Sequence, residues 1–116
     1  MANKIKRRKQ QRIEVRWPIT VFTGQGTIEG KTRDIAVNGM HICCEEALPL
    51  NEIFRMSIMP PNHQAIGVTG KVIWSDFYAI DEENTTLGMG VCFVKISDGD
   101  HHFLKDVVSV HSESSL

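Results

Sequence analysis

The sequence predicts a small antiparallel β-barrel or sandwich plugged by one C-terminal helix, and three observations carry that prediction. Six segments alternate apolar and polar residues with a period of two, at short spacing and with turn residues between them. The period changes once, near the end, where Phe103, Leu104, Val107 and Val108 fall on one helical face. At 116 residues, 41% hydrophobic and 23% charged, the chain has the size and composition of one domain with one modest core.

Val15, Trp17, Ile19 and Val21 alternate through the first strand, and Pro18 places it at an edge or bulge. Trp17 and, later, Trp74 are read as core residues because both sit on apolar strand faces. Thr23-Gly24-Gln25-Gly26 is a glycine-rich turn, so the second strand, Thr27 to Ile35, forms a hairpin with the first. Asn38-Gly39 is the next strong turn signal, since both residues tolerate positive φ, and Met40, Ile42 and Cys44 resume alternation beyond it. A connector from Glu45 to Asn51 leads to a fourth strand with Phe54, Met56 and Ile58 on one face, ended by Pro60-Pro61. Ile66, Val68, Gly70, Val72 and Trp74 share a face of the fifth strand, and the acidic run from Ser75 to Thr86 reads as a loop. Leu87, Met89, Val91 and Phe93 form the sixth strand. Gly88 and Gly90 lie on its other side, where small residues admit another backbone or a ligand. Ser97-x-x-Asp100 resembles a capping box that opens the helix.

Charge divides the chain unevenly. Seven of its thirteen Lys and Arg residues lie in the first sixteen positions against one acid, Glu14; the other hundred residues hold six bases and thirteen acids. The net charge of −1 thus splits into a basic arm of about +6 and a body of about −7. Three parts are expected: a flexible basic arm over residues 1–12, the strands and helix over 13–110, and a Ser-rich frayed tail over 111–116. No apolar run approaches the ~20 residues of a membrane span and no secretion signal follows the N-terminal charges, so a cytoplasmic protein is expected.

Nothing in the sequence points to catalysis. The three cysteines form no CxxC, the histidines no HxxxH, and no Ser/His/Asp set lies in a motif. Cys43 and Cys44, adjacent on a strand, point to opposite faces and do not share an ion. Cys44 and Cys92 are read as core packing, and His101-His102 as a polar helix start. No cofactor and no metal are expected.

The arm contains Arg8-Lys9-Gln10-Gln11-Arg12, an RxxxR sequence, followed by a strand opening with Val15-Arg16-Trp17-Pro18. About twenty residues further on, Asp34-Ile35-Ala36-Val37-Asn38-Gly39 fits a D/N-x-S-x-x-G turn except at Ala36. With Gly70-Lys71-Val72-Ile73-Trp74 and Gly88-Met89-Gly90-Val91-Cys92-Phe93 in order behind them, these segments resemble the PilZ domain, a bacterial receptor module for cyclic di-GMP. The resemblance implies a six-stranded antiparallel β-barrel with a C-terminal α-helix and a flexible basic N-terminal arm. It further implies binding of cyclic di-GMP through Arg7, Arg8, Arg12, Asp34, Ala36, Asn38 and Gly39. The output would be control of motility, exopolysaccharide or virulence through an unidentified downstream protein, by a monomer or weak dimer.

The residue types suit that ligand. Arginine donates two parallel bonds to phosphate oxygens or to the O6/N7 edge of guanine, and its face stacks on purines. Asp34 offers an acceptor for guanine N1–H and N2–H. Ala36 removes a hydroxyl that the family's serine would supply, which costs about 1–3 kcal/mol, or roughly tenfold to a hundredfold in affinity. Two other readings follow from the same residues. A PilZ-like adaptor that has lost the ligand would keep the fold; retention of Arg8, Arg12, Asp34 and Gly39 argues against it. Nucleic-acid binding through the arm is disfavoured by the acidic body and the lack of an exposed aromatic series, so no nucleic acid is expected.

Overall fold

Alternation of apolar and polar side chains drives this chain into strands that close on themselves. A computed structural model describes residues 11–79 and 85–114. Six strands, β1 (Pro18–Thr23), β2 (Gly26–Ala36), β3 (Gly39–Cys44), β4 (Ile53–Ile58), β5 (Ile66–Ala79) and β6 (Thr85–Ile96), precede one helix, α1 (Asp98–Ser114). All pairings are antiparallel, and the order β1-β2-β3-β6-β5-β4 closes because β4 pairs back onto β1. A closed barrel leaves no strand edge unpaired. No described helix is long and apolar enough to cross a membrane.

The inward faces supply the core. Ile19 and Val21 of β1, Ile42 of β3, Met56 and Ile58 of β4, Val72 of β5 and Met89 of β6 are all but inaccessible. Burying each such side chain stabilises the fold by about 1.5–3 kcal/mol before entropy is counted. Helix α1 adds Leu104 and Val108, with Phe103 and Val107 packed beside them, as its period predicts. Its first turn is capped as expected, the Asp100 amide donating to Ser97 Oγ at 3.1 Å.

Four sequence expectations are revised. β5 and β6 do not stop at the acidic run: their pairing continues from Asp76↔Gly88 to Ala79↔Thr85, through β-tolerant Phe77, Tyr78 and Thr86. Only positions 80–84 of that run lie outside the described residues. The helix continues to Ser114, four residues into the segment read as tail, where the His111 ring meets the Val107 carbonyl at 3.0 Å. Neither Asn38 nor Gly39 takes positive φ; the turn residues are Val37 and Asn38, and Gly39 already belongs to β3. The reason for glycine there is close packing, because a Cβ on Gly39 would meet the Val91 carbonyl oxygen at 2.5 Å. Finally, Cys92 is exposed. It stands between inward Val91 and half-buried Phe93, so alternation turns it outward.

Candidate functional site

The segment preceding β1 crosses one end of the barrel and fixes the base of the arm. Ile13 is buried and exchanges both backbone hydrogen bonds with Ile35, each at 2.9 Å. The buried hydroxyl of Thr32 accepts from the Trp17 amide at 2.9 Å and donates to the Val15 carbonyl. Arg16 donates to the Arg33 carbonyl at 2.9 Å. These contacts set Arg12 beside the outer face of β2 and β3.

Two β-bulges aim side chains at that place. On β2 the register shifts between Thr32 and Asp34. Thr32 points inward, and without the shift Asp34, two residues on, would too; the extra residue Arg33 turns Asp34 outward as the cross-strand partner of His41. On β5 the register shifts between Val72 and Trp74, so both core-facing Val91 and outward Gly90 find partners on either side of Ile73. Trp74 therefore leaves the core face assigned to it from periodicity. It lies half-buried over Gly90, where a Cβ would strike the indole, and its ring centroid is 5.1 Å from that of His41. Trp17, by contrast, is buried as expected.

Arg12, Asp34 and His41 form one polar cluster. Arg12 Nη1 donates to Asp34 Oδ1 at 3.1 Å and lies 2.8 Å from His41 Nδ1 and 3.3 Å from its Nε2. His41 Nδ1 is 2.9 Å from both Asp34 oxygens. Arginine only donates and the carboxylate only accepts, so in the tautomer that suits both neighbours His41 Nδ1–H donates to Asp34 and Nε2 is left to accept from Arg12. The Arg12 and Asp34 side chains are 44% and 21% exposed. A pair that open to water contributes at most about 1 kcal/mol, so exchanging partners costs little.

Around the cluster lie two adjoining depressions that share His41 and Trp74. One, of about 220 Å³, is bordered by Arg12, Ala36, Asn38, Gly39 and Cys92; the other, of about 250 Å³, by Arg33 and Asp34. The expected residues Arg12, Asp34, Ala36, Asn38 and Gly39 thus come together, whereas Arg7 and Arg8 lie outside the described residues. Ala36, where the motif has serine, is 4% exposed at the cleft wall. The sequence does not single out His41, assigns Trp74 to the core, and marks Gly90 only as a small residue that admits another backbone or a ligand. Alternation on β3 already sets His41 opposite to Met40 and Ile42, but nothing in the sequence marks the bulge that moves Trp74. The chemistry on offer is anion binding by Arg12, acceptance by Asp34 and ring stacking by Trp74. No cluster of three or more metal-ligating side chains exists among the described residues.

Comparisons with known proteins agree on the architecture. The model of the PilZ domain family matches residues 6–109. The PilZ domain of YcgR from Escherichia coli with c-di-GMP superposes with a TM-score of 0.75 at 17% identity, covering 94% of each chain. The Bacillus subtilis inhibitor of motility MotI/DgrA gives 0.76 at 15% identity over 92% of this chain. The K. pneumonia MrkH–c-di-GMP complex gives 0.78 at 11% identity over 94%. This chain spans 52% and 55% of those last two proteins. No curated protein matches it in sequence.

Proposed function

The chain belongs to the PilZ domain family, and from that premise we propose that it is a receptor for cyclic di-GMP that passes its signal in trans to a partner protein. The observation that carries the reading is the convergence of Arg12, Asp34 and His41 beneath Trp74, at the point where the arm meets the barrel. The structural neighbours YcgR and MrkH, solved with c-di-GMP, support the choice of ligand.

In this reading the free protein stores Arg12 and Asp34 as a pair. Guanine exchanges for that pair: its O6/N7 edge or a neighbouring phosphate takes the Arg12 fork, and its N1–H and N2–H donate to Asp34. His41 holds the carboxylate in place while Arg12 turns. Trp74 offers its indole face to a base, with Gly90 leaving the room that the indole occupies over β6 and Gly39 letting β3 pack closely on the Val91 carbonyl at the edge of the cleft. Arg7 and Arg8 then close over the ligand from the arm, and ordering of the arm presents a new surface. The protein acts by binding, in the cytoplasm, and catalyses nothing.

The test is calorimetric titration with cyclic di-GMP, with GTP and cyclic di-AMP as controls, on wild type, Arg8→Ala and Arg12→Ala. Selective binding lost in either variant supports the receptor. Absence of heat from folded wild type at high ligand concentration overturns it and favours an adaptor, in which the missing hydroxyl at Ala36 reflects abandonment of the ligand.

A further inference from the structure

We propose that the outer face of β4, β5 and the end of β6 is a docking surface for a segment of a partner protein that carries carboxylates around an apolar anchor. Strand pairing lays four residues in one row across four strands: Phe22 faces Arg55, Arg55 faces Thr69, and Thr69 faces Lys95. The row borders a shallow groove of about 780 Å³. A neighbouring row runs from Ile53 through Lys71 to Cys92.

Charge singles this face out. Thirteen acids and only six bases follow Arg16, yet three of those bases, Arg55, Lys71 and Lys95, stand here, and neither row contains an Asp or Glu. Among the described residues none of the three is in a salt bridge. On the same face as the cations Phe22 is 47% exposed, Ile53 54%, Ile73 52% and Val94 54%. Exposed apolar side chains gathered with arginine are the composition of an interface core, and unpaired cations select a partner of opposite charge.

Other occupants fit less well. A second copy related by a two-fold axis would set the basic face against itself. A nucleic acid or an anionic membrane, both extended polyanions, would be repelled by the rest of the body, where thirteen acids stand against the three remaining bases. The face also adjoins the proposed ligand cleft, since Ile73 and Cys92 border both. Ligand and partner would therefore share a rim. The biological use of the surface rests on the proposed signalling in trans, but its chemistry is tested without the nucleotide.

The probe is a synthetic peptide alternating glutamate with phenylalanine and leucine, titrated into the full chain and followed by amide NMR, with its lysine-for-glutamate counterpart as control. The expected shifts gather at Phe22, Arg55, Thr69, Lys71 and Lys95. The double variant Arg55→Glu/Lys95→Glu should weaken the peptide at least about tenfold and Phe22→Ser should weaken it too, with cyclic di-GMP binding unchanged in both. If charge reversal disturbs the fold, Arg55→Gln/Lys95→Gln removes the charge alone. Shifts confined to residues 4–12 would assign the peptide to the arm and overturn the proposal. So would equal binding of the lysine peptide, self-association that the double variant abolishes, or stronger shifts on the same face from an oligonucleotide or phosphatidylglycerol vesicles. Should wild type ignore cyclic di-GMP, the receptor reading fails while the peptide map still decides this one.

Discussion

His41 Nδ1 lies 2.9 Å from both carboxylate oxygens of Asp34, its partner across the β2–β3 ladder. That contact fixes the orientation of the one acceptor a guanine would need, and it separates two roles. Asp34→Ala removes the acceptor and is expected to weaken cyclic di-GMP by about 1–3 kcal/mol, tenfold to a hundredfold. His41→Ala leaves the carboxylate but frees it to turn, so a smaller loss is expected, restored in part by His41→Asn, which can still donate. Calorimetry on the three variants checks the order, and unchanged melting temperatures would show that these half-exposed groups act on binding rather than on stability.

Two glycines at the site fail differently when enlarged. A Cβ at Gly39 would press on the Val91 carbonyl oxygen, part of a backbone held by strand pairing on both sides. A Cβ at Gly90 would press on the Trp74 indole, which is half-exposed and can swing away. Gly39→Ala is therefore expected to cost about 1–3 kcal/mol of stability. Gly90→Ala should cost less but displace Trp74, changing tryptophan fluorescence and weakening the ligand. Thermal melts and fluorescence spectra of the two variants distinguish these outcomes.

Thr32 holds the crossing segment that delivers Arg12, through the Trp17 amide and the Val15 carbonyl. Thr32→Val keeps the volume and strands the buried Trp17 amide and the partly buried Val15 carbonyl, an expected loss of about 1–3 kcal/mol. Because the segment loosens, ligand affinity should fall along with stability even though Thr32 lies inside the barrel and touches no ligand. Denaturant unfolding and calorimetry measure the two effects separately.

Much of the fold was legible in the sequence because strand alternation and helix period report burial directly. Ile19, Val21, Met40, Ile42, Met56 and Ile58 are buried where the pattern places them, and Ser97 caps the helix as its spacing indicates. The site was half legible. Arg12, Asp34, Ala36, Asn38 and Gly39 were named from a motif resemblance, and they border the same pair of depressions. Trp74 was misread for a physical reason: a bulge adds one residue and reverses the faces of everything beyond it, and no residue type at Ile73 announces that. Cys92 was misread against its own alternation, on the habit of cysteine to be buried.

Cys44 gives a prediction for alkaline solution. Burial, with the nearby Cys43, Glu45 and Glu46, pushes its thiol from 9.0 up to about 12. Between those values the unfolded chain loses the proton that the folded chain retains, so the unfolded state binds fewer protons and stability falls as pH rises. The slope is at most about 1.4 kcal/mol per pH unit, with no contribution below pH ~9. Urea unfolding from pH 8 to 11 should show a steeper decline for wild type than for Cys44→Ala. In native protein at pH 8 a thiol reagent should label exposed Cys92 and leave Cys44 untouched until the barrel unfolds.

Cyclic di-GMP is proposed to bind where the arm meets the β2–β3 hairpin. An amide and indole NMR titration of the full chain with this nucleotide tests that placement most directly. Saturable shifts are expected at Arg12, Asp34, Gly39, His41 and the Trp74 indole, together with new dispersion from the arm and little change at Trp17. Shifts centred on another face of the barrel, or a spectrum unmoved by saturating nucleotide, would contradict it.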